Sequence, residues 1–371
     1  MKKYNIAVVP LDGIGKELHP YGVEVLKKAE KIVGGFELEF QWYEAGVEYA
    51  FKTGKGMPDN FYEEMCAADA MYCGSCGHFD VGMAKTDYPE YRIGGIWNFF
   101  RAGMGNVIGL RPLTLLPGVP TPLANPKKID IYLVRELSEG CYVTKGSEIS
   151  DEAAYDVQVV TRETTEKLAR YAFEVAKNRQ GRLLDNKKMV TLATKDGASG
   201  ILSFYRKIFS EIAPEYEGQV ELQYLEIDAL CDHMIKAPER FDVIVCENMH
   251  GDIVSDIGAC ITGGMGVTPT ADVGGITPHF RPNHGTFPRA VGKGFANPIA
   301  TIMTAWLMLD TLANSNNDNA LKAGAKLIRD AVEYNLAHGG PRTRDLGGNA
   351  GTDEAAKGIL EAMDKVTRII K

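Results

Sequence analysis

No apolar run in this sequence is long enough to span a membrane. The longest, Ile299 to Leu309 in NPIATIMTAWLMLD, falls well short of the ~18 residues that a spanning helix needs, so a buried helix is expected there. The opening, MKKYNIAVVPLDGIG, loses its apolar run at Leu11-Asp12-Gly13 and shows no small-residue cleavage site, which reads as a first strand entering a glycine loop and not as an export signal. Basic residues never gather into a dense block. With 41 Lys+Arg against 49 Asp+Glu the net charge is -8, and without clustered cations there is no counterion release to drive nucleic-acid binding. Cysteine is sparse: the seven, at 66, 73, 76, 141, 231, 246 and 260, are odd in number and scattered. They argue against a disulfide framework and for a reducing compartment, the cytoplasm by default. No repeat or low-complexity tract occurs, and 45% hydrophobic with 24% charged residues is the balance of a chain that folds.

Glycine is the one excess. Forty in 371 residues exceeds the usual ~7% and implies tight strand-to-helix turns and close backbone approaches to a ligand. The length allows about two domains. Short apolar runs followed by glycine turns and helix-period segments recur, as in YNIAVVP then DGIGKELHPYGVEVLKKAEKIVG, and KMVTLATK then DGASGILSFYRKIFSEIAPEY. That alternation predicts an α/β architecture with much parallel sheet. In RFDVIVCEN followed by MHGDIVSDIGACITGG a strand ends directly before a helix, and such junctions are where open α/β sheets collect ligands. The middle differs: RPLTLLPGVPTPLANP is Pro-rich and irregular, and the segment from IDIYLVREL to DVQVVTRE reads as strand and hairpin before the helix TEKLARYAFEVAKNR, an arm or a second domain.

Several residues could carry chemistry. Asp252 and Asp256 are four apart in GDIVSDIG, on one face of a helix. Paired carboxylates are hard ligands for Mg²⁺ or Mn²⁺, and Asp228 could complete the set; alternatively Asp252 complements the positive end of its helix and Asp256 is solvated. Arg101, Arg111 and Arg135 end or interrupt apolar sequence in IWNFFR, VIGLRP and IYLVRE. A guanidinium fork at a strand end holds a small polyanion bidentately, the plainer reading being a surface ion pair. Lys195 and Tyr142 could move protons as base and acid, or be an ordinary surface lysine and a half-buried tyrosine. Gly13-Ile14-Gly15 starts like a dinucleotide fingerprint, but Leu18 stands where the third glycine belongs, which rejects a Rossmann site. Cys73 and Cys76 with His78 lack the second pair that a zinc site needs, so they read as a strand-to-loop junction.

Together these pieces resemble, across nearly the whole chain, the metal-dependent β-decarboxylating dehydrogenases of isopropylmalate, isocitrate, homoisocitrate and D-malate/tartrate. The specific stretches are Asn248-Met249-His250-Gly251-Asp252 with Ser255-Asp256, FRPNHGTFPRAVGKGFANP from Phe280 to Pro298, and DLGGNAGT from Asp345 to Thr352, with DGIGKE, the LRP at 110–112 and VRELSEGCY at 134–142 in agreement. The resemblance implies an isopropylmalate dehydrogenase-like α/β fold, with a large mixed, mostly parallel sheet and a dimer-forming arm at about 136–168. A cofactor domain of residues 1–106 plus 263–371 would enclose a central substrate, metal and dimerisation domain of residues 107–262.

The resemblance also implies roles. Arg101, Arg111 and Arg135 would bind the malate carboxylates, and Asp228, Asp252 and Asp256 would hold Mg²⁺ or Mn²⁺. Lys195 and Asp228 would come from the partner subunit, making a homodimer, or a higher oligomer, with shared sites. Lys195 would take the C2 hydroxyl proton as hydride leaves, and Tyr142 would protonate C3 after CO₂ is lost. The cofactor, NAD or NADP, would lie against His284-Gly285-Thr286 with Asn297 at the adenine. Where NAD-specific members carry an acidic residue, this chain has Arg289, which favours the 2′-phosphate of NADP. One helical turn before Arg101, facing the substituent on substrate C3, stands Trp97. Gly95 and Trp97 replace the serine and asparagine of isocitrate enzymes and so argue against isocitrate. Gly197 replaces an asparagine near the nicotinamide. LLPGVPTPLA looks closest to the D-malate/tartrate branch, so the function implied is oxidative decarboxylation of a compact (R)-malate-type acid. The alternatives are 3-isopropylmalate dehydrogenase and, from another class, a catalytically silent regulatory subunit.

Overall fold

The structure, a computed structural model, describes residues 2–77, 93–124, 128–142 and 146–370; His78 and the end of the Pro-rich stretch lie outside them. The chain opens with β1 (Lys2–Val9), which becomes fully buried toward its carboxyl end. A loop with Leu11 and Gly13 at positive φ leads into α1 (Gly15–Val33), which buries Leu18, Val25, Leu26 and Ala29 at helical spacing. Then come β2 (Phe36–Trp42), α2 (Val47–Thr53), α3 (Phe61–Ala67) and β3 (Ala70–Cys73), and beyond the undescribed stretch α4 (Ile93–Asn98). Cys73 closes its strand and Cys76 follows in the buried loop, as a strand-to-loop junction requires.

The central elements are β4 (Ile108–Thr114), β5 (Asp130–Glu136), β6 (Ser147–Ser150), β7 (Ala153–Tyr155), α5 (Arg162–Asn178), β8 (Met189–Thr194), α6 (Gly200–Ile212), β9 (Glu221–Glu226), α7 (Ile227–Lys236), β10 (Val243–Cys246) and α8 (Asn248–Ile261). The chain closes with β11 (Pro269–Val273), β12 (His279–Pro282), α9 (Ile299–Asn316), α10 (Asn319–Ala337) and α11 (Thr352–Ile370). Among the described residues ten strands form one sheet in the order β2-β1-β3-β12-β11-β4-β5-β10-β8-β9. Its flanks pair parallel, while the junctions β12/β11, β11/β4 and β4/β5 at its centre are antiparallel. The sheet is thus mixed and mostly parallel.

α9 is buried at every residue from Ile299 to Leu309, because it is enclosed by α1, α10, β11 and β12. Its apolar circumference is that of a core helix, and no helix of the described residues is long and apolar enough to cross a membrane. The short strands β6 and β7 make a separate antiparallel ribbon in which every residue is exposed. Ile149 and Tyr155 present apolar side chains to solvent there, as do Val157 and Val159 in the segment that follows. A lone two-stranded ribbon is marginal in water, so this one needs something to lie against.

Close packing of α1 on the sheet depends on Gly22, since a methyl group there would fall on the Tyr72 hydroxyl, which donates to Thr301 O at 2.7 Å. Gly22→Ala is expected to cost about 1–3 kcal/mol by overpacking. Adding Tyr72→Phe should recover part of that loss even though it deletes a buried hydrogen bond. Urea unfolding of both single variants and the double variant checks the sign of the coupling; strictly additive losses would exclude this contact as the cause.

Candidate active site

The site grows from one row of the sheet. Cross-strand registers place His279 (β12) opposite Asp272 (β11), Asp272 opposite Gly109 (β4), Gly109 opposite Arg135 (β5), and Arg135 opposite Cys246 (β10). Residues directly opposite share a face, as do neighbours two along a strand, so Arg111 and Arg281 join that face. Its charged members are almost wholly buried: Arg135 is 1%, Arg111 3%, Arg281 6% and Asp272 0% exposed.

Arg135 is held from several sides. Its Nε and Nη2 donate to Asn248 Oδ1 at 3.2 and 2.7 Å, and Nη1 donates to Asp252 Oδ1. Asn248 in turn donates to Glu139 O at 2.8 Å. These partners lie on the first turns of α8, which starts where β10 ends because the Glu247 carboxylate accepts from the amides of Met249 and His250, an N-cap that satisfies otherwise orphaned donors. Gly251 is required at the crossing, since any side chain would strike the aliphatic part of Arg135. Arg111 Nη1 donates to Ser255 Oγ on the next turn. Tyr142, on a short 3₁₀ turn, donates its hydroxyl to Asp252 Oδ2 at 3.3 Å.

The electrostatics are those of crowded cations. Burial lowers the Arg111 guanidinium, and repulsion from Arg135, Arg281 and Arg101 adds to it; burial likewise lowers Arg135, with Asp252 opposing. Asp252 is pushed up by burial, but Arg135 and Arg111 outweigh that and leave it below the usual carboxylate range. Tyr142 is raised by burial and by Asp252, so its phenol keeps its proton at neutral pH. Arg101, on the π-turn Phe99–Gly103 that follows α4, sets its Nε 3.6 Å from Asp272 Oδ2. Trp97 lies beneath it, 5.8 Å from ring centre to guanidinium.

Lys195 and Asp228 are elsewhere. Lys195 Nζ pairs with Asp228 Oδ1 at 2.8 Å and Glu226 Oε2 at 2.9 Å, and those hydrogen bonds hold it above its ordinary value. Asp252 and Asp256 sit one turn apart on α8 with Asp256 exposed, a donor pair whose hard oxygens fit Mg²⁺ or Mn²⁺. Among the described residues, however, no three Asp, Glu, His or Cys side chains of this one chain come together to hold an ion. The expected third ligand, Asp228, is therefore not delivered to Asp252 and Asp256 within the described chain.

On the other flank, the loop after β1 meets the loop after β12. Ile14 N donates to Thr286 O at 3.0 Å, and Gly13 sits so close to Thr286 that no side chain fits. Asp12, fully buried, accepts from the amides of Val47, Glu48 and Gly77. Ser75 donates to His284 O, and His284 is lowered by its burial. Gly285 and Arg289 are exposed. Asn297 is engaged at both ends: its Nδ2 donates to Asp345 Oδ2 at 2.8 Å and its Oδ1 accepts from Ile299 N at 2.9 Å. It thereby joins the motif at 345–352 to the start of α9.

Asn248, Asp272, His279 and Arg281 are site residues that sequence reasoning does not find. The usable signal was charge within strands: PTADV and HFRP each bury a charged residue among apolar ones. His279 packs its ring on Phe100 at 4.6 Å, its Nδ1 is 3.4 Å from Asp272 Oδ2, and burial lowers its affinity for a proton.

Comparison with known proteins gives one answer. The family profile isocitrate/isopropylmalate dehydrogenase matches residues 5–361. The chain is 38% identical to D-malate dehydrogenase [decarboxylating] of Escherichia coli, over 97% of this chain and 99% of the relative. It is 34% identical to a probable tartrate dehydrogenase/decarboxylase of Bacillus subtilis over 99% of each. Among solved structures, isocitrate dehydrogenase from Methylococcus capsulatus superposes with a TM-score of 0.81 at 28% identity, covering 97% of this chain and 99% of that one.

Asp272 carries a stability consequence. Burial would raise its carboxyl, but Arg281, His279 and Arg101 outweigh that and hold it well below the usual range. It therefore stays charged in the folded chain at a pH where the unfolded chain, with a value of about 3.9, has taken up its proton. Its contribution is complete above about pH 4 and is lost as pH falls further. Asp272→Asn should cost about 3–5 kcal/mol at pH 7 by stranding buried cations, and denaturant unfolding across pH should show the gap narrowing below about pH 4. A gap that widens on acidification would contradict this account.

Proposed function

The chain belongs to the isocitrate/isopropylmalate dehydrogenase family, and on that premise we propose that it oxidatively decarboxylates a compact (R)-malate-type 2-hydroxy acid, D-malate or a tartrate, in a site shared by two copies of the chain. One observation carries the reading: Arg111 from the middle of β4 and Arg135 from the end of β5, both buried, converge with Tyr142 and with Asp252 near the start of α8, close to Arg101. Buried guanidinium groups in excess over their carboxylate partners are matched by a ligand of opposite charge. The printed names of the relatives point to the same acids, and the indole of Trp97 restricts the room beside Arg101.

Arg101, Arg111 and Arg135 orient the two carboxylates and exclude water from them. Asp252, Asp256 and Asp228 would hold a divalent ion, which would supply Lewis acidity for the oxidation, and a bound nicotinamide would supply the hydride acceptor. Lys195 takes the proton of the C2 hydroxyl as the free amine, having released its own proton to solvent once it is drawn away from Asp228 and Glu226, whose hydrogen bonds hold that proton. Tyr142, whose phenol is kept protonated, delivers a proton to C3 after CO₂ has left. The partner subunit supplies Lys195 and Asp228 in this reading. It is supported by their exposure, by the exposed Ile235 and Ile253 on α7 and α8, and by the uncovered ribbon β6–β7. For the cofactor, the loop 284–286 and exposed Arg289 suit a dinucleotide with a 2′-phosphate, hence NADP before NAD.

The decisive assay follows nicotinamide reduction with Mn²⁺ over D-malate, the tartrates, 3-isopropylmalate, homoisocitrate and isocitrate, with each cofactor. Turnover is expected for D-malate or a tartrate, with kcat/KM higher for NADP, and is abolished by chelation; inactivity across the panel would defeat the proposal. Shared sites give a second test. Lys195→Ala and Asp252→Ala should each be inactive, and mixing them should restore about a quarter of wild-type activity, because half the dimers are hybrids with one intact site. No recovery after confirmed subunit exchange would place each site within one chain.

A further inference from the structure

A fourth guanidinium reaches this site from β12. Arg281 Nε lies 3.7 Å from Asp272 Oδ2, the same oxygen that stands 3.6 Å from Arg101 Nε. Its guanidinium carbon is also 4.6 Å from the centre of the Trp97 ring, on which Arg101 rests at 5.8 Å. A shared carboxylate oxygen and a shared indole therefore tie Arg281 to Arg101 independently, and both are drawn into contact with the residue that faces substrate C3 in the reading above.

Arg281 is poorly satisfied where it stands. Its side chain carries five N–H donors, yet among the described residues its one hydrogen bond is Nη1 to Pro282 O at 3.4 Å, and its buried Nε has none. Were Asp272 merely its structural partner, the two would be hydrogen-bonded, but among the described residues neither Asp272 oxygen has a hydrogen-bond partner. That single carboxylate also serves Arg101 and His279, so two permanent cations share one anion. Buried donors of this kind are ordinarily matched, and the match remaining is an acceptor on the substrate. An alkyl group at that place would cover the guanidinium without bonding it, which a site built to hydrogen-bond resists.

We propose that Arg281 is a specificity-determining residue that donates to a hydroxyl oxygen on C3 of the substrate, so that the site prefers 2,3-dihydroxydicarboxylic acids to malates bearing hydrogen or an alkyl group at C3. This rests on the proposed placement of the substrate and narrows its identity. The Trp97 ring fixes the height of the guanidinium, and Asp272 orients it from the side away from the ligand.

The test compares wild type with Arg281→Met and Arg281→Lys, using kcat/KM for the tartrates, D-malate and 3-isopropylmalate, and calorimetric titration of the same acids with Mn²⁺. Wild type should favour a tartrate. Arg281→Met should lose at least about tenfold on that tartrate, mostly in KM, while D-malate changes less than about threefold, the mark of a lost substrate hydrogen bond. Arg281→Lys keeps the charge beside Asp272 but not the fork, so it should fall between the two and carries the test should the Met variant not fold. Equal losses on every acid, or a wild type that favours 3-isopropylmalate, would overturn the assignment. If wild type turns over none of the acids, the proposed reaction fails by itself and titration decides the role of Arg281: loss of tartrate affinity in the variants upholds it, and unchanged affinity or no binding to wild type overturns it.

Discussion

The guanidinium of Arg135, buried at the carboxyl end of a central strand, is the constraint around which the rest is arranged. A cation taken from water at such cost must be surrounded by acceptors in good geometry. Asn248, Asp252 and the ring of Tyr142 provide them. For those residues to be in reach, α8 must begin immediately after β10 and cross close to β5. Glu247 starts the helix and Gly251 permits the approach. The helix proposed to hold the metal and the strand proposed to hold the substrate carboxylates are in this sense one device.

The antiparallel centre of the sheet follows the same logic. A wholly parallel sheet would place its strand ends, and hence its loops, on one edge. Setting β4 and β11 antiparallel to both their neighbours instead brings Asp272, from the body of its strand, onto the row that holds Arg135, and Arg111 onto the same face two residues along β4. Charge is then distributed along a face of the sheet and not only at its rim. The acidic balance of the whole chain is compatible with this, because the local field of four arginines and two aspartates decides what enters.

Much of the fold is legible in the sequence because strand, glycine turn and helix repeat at regular spacing. α9 is legible from its unbroken apolar run. The candidate site is legible in part: Arg111, Arg135, Tyr142 and Asp252 sit in motifs of the sequence, and the structure brings them together. Lys195 and Asp228 pair with each other, which spacing could not tell, since 33 residues and a helix separate them. Arg281 and Asp272 escape notice because their adjacency is created by register between β11 and β12, where Thr270 faces Arg281 and Asp272 faces His279. Linear sequence holds no record of that register beyond buried charge in two short strands. For Asn297 the motif is plain, but its hydrogen bonds to Asp345 and Ile299, which tie the 345–352 loop to the start of α9, could not be read from it.

The position of β12 has a consequence for how the molecule comes into being. That strand sits between β3 and β11, although about 200 residues separate it from β3 along the chain. At a synthesis rate of about 5–20 residues per second, the first three strands wait roughly 10–40 s on the ribosome with the apolar edge of β3 unpaired. An open, buried-type edge of this kind is a template for wrong pairing. The emerging chain thus depends on its last third to close a gap made by its first, and nascent-chain chaperones have their longest opportunity in that interval.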